Sequence, residues 1–367
     1  MSSGSVLPGR AARVVIDLGA LRHNLGVARR AAPHSRIMAA VKANGYGHGL
    51  VRVARALDDA DAFGVAAINE ALELREAGIT KPVVLLEGFF HADELEPIAH
   101  HGLEVALHHL PQLEALERFN STPLPVTAWI KIDTGMHRLG FPPEQVAGVR
   151  ERLLALGERI RLRGFMTHFA NADDRNDPTT LRQLEQFALA TASYSGERAI
   201  ANSAGLLGWP QSHADWVRPG IMLYGASPFI GRTGAQEGLR PVMTLHSELI
   251  AVNALNTGDA VGYGGSWTCP EPMKVGVVAI GYGDGYPRHV PTGTPVLVNG
   301  ERVPLIGRVS MDMITVDLRS QPNARVGDPV VLWGDGLPVE EITESAGTIS
   351  YDLLCRITRR VPVIVKE

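Results

Sequence analysis

From about residue 36 to residue 230 the chain repeats one pattern of hydrophobicity: a short β-branched apolar run, a polar or glycine-rich loop, then an amphipathic stretch. The apolar runs are RIMAAVKA, AFGVAAI, PVVLLEG, LEVALH, TAWIKIDTG, RLRGFMTHFA, AIANSAG and WVRPGIMLYG. Between them, INEALELREAGI (68–79) and LRQLEQFALATASY (181–194) space their apolar residues at i, i+3 and i+4, the period of a helix with one buried face. Near-continuous apolar strands alternating with such helices predict a parallel sheet covered on both faces. Eight such units predict a closed (β/α)8 barrel of the TIM type. The third and fourth runs are the weakest strands, and an open doubly wound sheet stays as the alternative.

The texture changes after about residue 239. VMTLHSELIAVNAL, KVGVVAIGYGDGY, TPVLVNGERVPLIG, DMITVDL and DPVVLWG read as strands with no long helices between them. Asn299-Gly300, flanked by valine-rich runs, is a type I′ hairpin signal. The expected organisation is an α/β barrel over 13–238 followed by a mostly antiparallel β domain over 239–367. RVVIDLGAL (13–21) reads as an early strand able to join that second domain.

Composition narrows the class. With 367 residues, 45% hydrophobic and 20% charged, the chain can build two sizeable cores. A net charge of -4 and the lack of any Lys/Arg run argue against nucleic acid as a partner. The two cysteines, Cys269 and Cys355, exclude a CxxC metal site, while a single bridge between them stays open. The opening MSSGSVLPGR has no apolar core of a signal peptide, and no stretch approaches the roughly 18 apolar residues of a membrane span. A cytoplasmic enzyme is the expectation. His100-His101 and His108-His109 lack a completing carboxylate or cysteine spacing, so they read as surface residues and no metal is expected. Cys355, in YDLLCRI, reads as a packed small apolar residue.

In a barrel, chemistry belongs just past the C-terminal ends of the strands. The first run delivers AVKANGYGHG there, with Lys42 at the end of the strand and glycines that allow a ligand close to the backbone. A solvated rim lysine is the plain alternative; a Schiff-base lysine is the functional one. The fifth run adds Lys131, Asp133 and Arg138, and the sixth adds His168. The seventh ends in Asn202 and Ser203, and the eighth in Arg218, Gly220 and Ile221. Loops after the last two strands commonly cradle phosphate through backbone amides and a helix start. Taken singly, Arg218 could be a surface ion pair and His168 a satisfied core histidine. Jointly they make a cationic, phosphate-binding mouth around one lysine, suited to a phosphorylated aldehyde cofactor.

These segments resemble the signatures of the alanine racemase family. AVKANGYGHG is similar to its pyridoxal-phosphate attachment motif, and KIDTGMHRLGF, ANSAG, VRPGIMLYG, VGYGG, IGYGDGYPR and GRVSMDM follow in the family's order over 13–362. The resemblance implies a barrel plus a β domain and a homodimer with shared active sites. It also implies pyridoxal 5'-phosphate as cofactor and interconversion of L- and D-alanine, feeding peptidoglycan synthesis. Lys42 would hold the cofactor covalently and Tyr46 would contact its phosphate. Ser203, Gly220, Ile221 and Tyr351 would bind phosphate too, with Asn202 and His168 beside the cofactor. Arg138 would reach the phenolic oxygen and the substrate, and Arg218 the ring nitrogen. Met311 and Asp312 would line the substrate position, with Tyr282 and Tyr351 narrowing the entrance. Tyr263 would be the second base, reaching the barrel of the other subunit. Lys131 sits where some members carry a carbamylated lysine, which a sequence does not show. Two departures stand out: Ser310 replaces a frequent cysteine before Met311-Asp312, and the tail RRVPVIVKE differs from the usual ending.

The implied mechanism uses two bases, Lys42 on the D-alanine face and Tyr263 on the L-alanine face. Lysine and tyrosine ordinarily titrate at roughly 10, so both must be lowered to act near neutrality. Arg218, with His168 between it and Tyr263, could supply that lowering. The same arginine would leave the ring nitrogen unprotonated and so disfavour transamination. Three other functions share parts of this pattern. A non-enzymatic pyridoxal-phosphate-binding barrel would be a single domain without a second base. A decarboxylase would need room for a long side chain. A broader-range racemase differs in pocket volume, which a sequence does not display.

Overall fold

The computed structural model of the chain describes residues 10–120 and 125–367. Strand β1 (Arg13–Asp17) opens it and runs directly into a helix, Leu18–Ala31. The sequence pattern extends this strand through residue 21, but the structure ends it at Asp17. The Asp17 carboxylate accepts the Ala20 amide at 2.8 Å, an N-cap that turns the chain into a helix.

Eight strands then close a parallel barrel: β2 (Arg36–Ala40), β3 (Ala62–Val65), β4 (Val83–Leu85), β5 (Glu104–Leu107), β6 (Val126–Lys131), β7 (Ile160–Met166), β8 (Glu197–Ala199) and β9 (Trp216–Val217). The pairing of β9 back onto β2 removes the doubly wound alternative. The third and fourth runs do form strands, of three and four residues, too short for their pattern to stand out. β3, β4 and β5 are buried at every position because helices cover the outer face and side chains fill the lumen. Each strand contributes one residue to that lumen: Met38, Ala62, Val84, Ala106, Trp129, Met166, Ala199 and Trp216. Small alanines make room for the two indoles, which meet edge to face at 6.4 Å. Their N–H groups donate to Glu104 at 2.7 Å and Glu197 at 2.6 Å, residues that begin β5 and β8, so the N-terminal end of the barrel is plugged.

The rest of the strands are β10 (Met243–Leu255), β11 (Ala260–Val261), β12 (Trp267–Thr268), β13 (Met273–Val278), β14 (Pro295–Val298), β15 (Glu301–Ile306), β16 (Ile314–Asp317), β17 (Pro329–Trp333) and β18 (Val363–Lys366). β10 is long enough to pair with β17, then, past an irregularity near Leu249, with β13, so the sheet folds over on itself. The β14–β15 hairpin turns at Asn299 (φ 52°) and Gly300 (φ 83°), both left-handed as a type I′ turn requires. β1 pairs antiparallel with β10 and parallel with β18, and β18 is the exposed edge. Two helices the strand pattern does not signal, Val339–Ala346 and Ser350–Cys355, precede that last strand. Cys269 and Cys355 are both free, and Cys355 is exposed rather than packed as its apolar neighbours suggest.

Candidate active site

The mouth of the barrel assembles most of the residues expected there. Lys42 follows β2, and its Nζ lies 3.7 Å from a carboxylate oxygen of Glu87, just past β4. Behind it the chain makes an unusual turn: Ala43, Asn44, Gly45 and Tyr46 all have φ between 51° and 60°. The left-handed conformation costs roughly 1–2 kcal/mol for each residue with a Cβ, which the turn's own bonds, such as the Gly45 amide to the Val41 carbonyl at 2.8 Å, and contacts from outside it offset. It drives Tyr46 inward, where the ring stacks on Tyr224 at 4.5 Å and faces Tyr351 at 5.9 Å.

Beside Tyr46 lies a ring of small polar groups. Ser203 Oγ accepts the Gly220 amide at 2.8 Å. A Cβ on residue 220 would stand 2.6 Å from the Tyr46 hydroxyl, so only glycine leaves that approach open. Two short helices start here, Ser203–Gly208 and Ile221–Tyr224, and their first amides have no helical carbonyl to bond. Burial raises the Tyr46 hydroxyl above its ordinary value and pushes Tyr351 up to about 12, so both stay protonated donors. The side chain of Asn202 is otherwise engaged, accepting the Gly205 amide at 2.9 Å as the cap of the first helix.

Cations surround this cradle. Arg218 is buried, held by the carbonyls of Ala199 and Thr167 and 3.3 Å from Nδ1 of His168. Burial brings the guanidinium down to about 10, still charged at neutral pH. His168 is kept well below the usual histidine range by burial, then by Arg218, Lys131, Arg138 and Lys42. Burial, with Arg218, Arg138 and Lys42 around it, pulls the Lys131 ammonium down to about 8, against the opposing charge of Glu87. An anion of two or more charges would relieve this crowding. The donors fit the phosphate of a pyridoxal group, and Lys42 beside them fits its aldehyde.

Lys131 therefore carries a stability cost while the mouth holds no anion. Its proton is bound less firmly in the folded chain than in the unfolded one, so stability rises with pH between about 8 and 10.5. At pH 7 the full penalty stands, on the order of 3 kcal/mol. In cofactor-free protein, Lys131→Met is expected to raise the urea midpoint at pH 7, with the gain shrinking as pH approaches 10.5.

A second group of expected residues lies apart. Tyr263 is 68% exposed on a turn of glycines, and Tyr282 and Met311 are also exposed. The Tyr282 and Met311 turns are zipped together: the Tyr282 amide donates to Ser310 at 3.1 Å and the Gly283 amide to Met311 at 2.8 Å. Arg360 clamps Asp312 at 2.7 Å and the buried Asp284 at 3.1 Å, and Arg10 bonds Asp284 at 2.9 Å. Among the described residues, no hydrogen bond or ion pair joins Tyr263, Tyr282, Met311 or Asp312 to Lys42. Of the second-half residues expected at the site, Tyr351 reaches the mouth, its ring facing Tyr46.

Sequence reasoning missed Glu87, although its place at a strand end was the available signal. It also misplaced His108, which is buried and bonds the Glu87 carbonyl at 2.9 Å. His109, its neighbour, accepts the Gln112 amide as a helix cap. Among the described residues, no group of three or more His, Cys, Asp or Glu could hold a metal, and no helix is long and apolar enough to cross a membrane.

Comparison with known proteins gives two family matches: the alanine racemase N-terminal domain over residues 16–228 and the alanine racemase C-terminal domain over residues 242–365. An alanine racemase of Nitrosococcus oceani is 56% identical, over 95% of this chain and 98% of its own. The biosynthetic alanine racemase structure of Pseudomonas aeruginosa superposes with a TM-score of 0.94 at 44% identity, covering 98% of this chain and 100% of that one. The structure of the Bartonella henselae alanine racemase with covalently bound pyridoxal phosphate matches with a TM-score of 0.88 at 29% identity, again over 98% and 100%.

Proposed function

The chain belongs to the alanine racemase family, and on that premise we propose how its own residues carry out the interconversion of L- and D-alanine that it catalyses. The barrel, 13–238, holds the cofactor pyridoxal 5'-phosphate, and 239–367 supplies the second base to another copy of the chain. The observation that carries this reading is Lys42 set beside an anion cradle and among three further cations, Lys131, Arg138 and Arg218.

Lys42 anchors the cofactor. Ser203, the Gly220 and Ile221 amides, Tyr46 and Tyr351 would hold its phosphate, with Asn202 and His168 beside the cofactor. Bound there, the pyridoxal group draws electron density from the substrate's Cα, whose proton is otherwise too weakly acidic to remove. Arg218 would hold the ring nitrogen and, remaining a donor at neutral pH, would keep a proton off it, which would limit the electron withdrawal and favour return of the proton to Cα. Arg138 would hold the phenolic oxygen and the substrate carboxylate. Racemisation needs one group to take a proton and another to give one from the opposite side. We assign these to Lys42 Nζ and to the Oη of Tyr263 of the partner subunit. The exposed Tyr263, Tyr282 and Met311 and the half-buried Asp312, which among the described residues make no bond to their own chain's Lys42, support a homodimer in which they close the partner's mouth. We place the enzyme in the cytoplasm, supplying D-alanine for peptidoglycan.

Purified protein loaded with pyridoxal phosphate and given pure L-alanine is expected to approach equal D and L by chiral chromatography. Bound cofactor with no D-alanine formed would overturn the reading.

A further inference from the structure

We propose that Glu70 is a positioning residue for Lys42, its carboxylate clamping the strained left-handed turn that presents the lysine to the barrel mouth. The inference rests on the reading of Lys42 as the cofactor lysine.

L-residues visit the left-handed region singly, and mostly as glycine. Here four follow one another directly after Lys42, three of them with side chains. The far side of the turn is tied to its own neighbours: Asn44 Oδ1 accepts the Leu50 amide at 2.9 Å, and the Gly49 amide donates to the Asn44 carbonyl at 2.8 Å. The near side has a different tie. The amide of Ala43, the residue bonded to Lys42, donates to Glu70 Oε1 at 2.6 Å. The other oxygen, Oε2, accepts the Ala66 amide at 2.8 Å. One carboxylate thus fastens the loop after β2 to the loop after β3.

A lysine stem is flexible, so its amine is only as well placed as its Cα. Fixing the adjacent amide fixes that Cα. Ala43 is exposed, so its side chain is not needed for packing, yet it occupies a conformation glycine would adopt with less strain. The alanine gives up stability and narrows the backbone freedom beside Lys42. An ordinary helix-start role for Glu70 would explain its bond to Ala66, not the one to Ala43.

The test compares the unaltered protein with Glu70→Gln and Ala43→Gly. Three readouts serve: capture of pyridoxal phosphate by Lys42, trapped with borohydride and mapped by peptide mass; kcat and KM for alanine; and the melting temperature of cofactor-free protein. Glu70→Gln is expected to slow capture about tenfold and to lower kcat with KM within about twofold. Ala43→Gly is expected to melt roughly 2 °C higher and still to capture more slowly. Capture that follows stability, with Ala43→Gly faster than the unaltered protein, would overturn the proposal, as would ordinary capture in Glu70→Gln. Absence of any adduct on Lys42 in the unaltered protein would instead overturn the cofactor reading beneath it.

Discussion

Lys42→Ala is expected to cut racemisation by at least about 10⁴-fold. On the proposed roles, the substitution removes the covalent hold on the cofactor and one of the two proton-handling groups at once. It does not dismantle the mouth: Arg218 keeps its bonds to the carbonyls of Ala199 and Thr167, and Ser203 keeps the Gly220 amide. Cofactor should therefore still bind, but wash away on desalting, so visible absorbance is lost together with D-alanine formation. Lys42 is one of the charges that press on Lys131 and His168, so its loss also eases the proton-binding penalty on both. The cofactor-free variant should be at least as stable as the parent. D-alanine formed at a hundredth of the parent rate or faster would remove Lys42 from its role.

Tyr263→Phe should slow the reaction by about 10²–10⁴-fold, the usual contribution of one general acid or base. The more telling result is expected from mixing. If Lys42 of one chain works with Tyr263 of its partner, co-expressed Lys42→Ala and Tyr263→Phe chains form hybrid dimers with one intact site and one doubly altered site. Random pairing should then restore about one quarter of the parent activity from two inactive proteins. A Tyr263 acting on its own chain's lysine gives no restoration, because each chain then carries one broken partner. The 68% exposure of Tyr263 and its lack, among the described residues, of any bond to the mouth make the shared arrangement the expected one.

The barrel was legible because its strands are apolar on both faces and its helices keep a clean period, a pattern that survives in three-residue β4 only as a weak trace. The Asn299-Gly300 hairpin was legible for a different reason, since few dipeptides favour two left-handed residues. RVVIDLGAL misled because Leu18 and Leu21 are apolar in either conformation; the Asp17 cap decides, and a cap depends on three-dimensional geometry. The site residues were reached in two ways. Position at strand ends drew attention to Lys42, His168 and Arg218, whereas Tyr263 came only through likeness to a family, since nothing local distinguishes that tyrosine. Glu70 and Glu87 escaped both routes. Their importance lies in what they touch, Ala43 and Lys42, and those contacts join separate strand-end loops. His108 and Cys355 failed for the same cause in reverse: burial and exposure at a barrel mouth follow from neighbouring loops rather than from flanking residues.

β1 sits between β10 and β18, so the first described strand of the chain is the partner without which the last strand has no sheet to join. During synthesis the barrel can close once β9 has emerged, but the second sheet must wait for β18 to emerge and return to β1. A fragment beginning at residue 239 would leave β18 unpaired and one flank of β10 bare, and should aggregate or fail to fold, although a boundary near that point looks natural. Adding residues 10–17 back as a separate peptide should restore it.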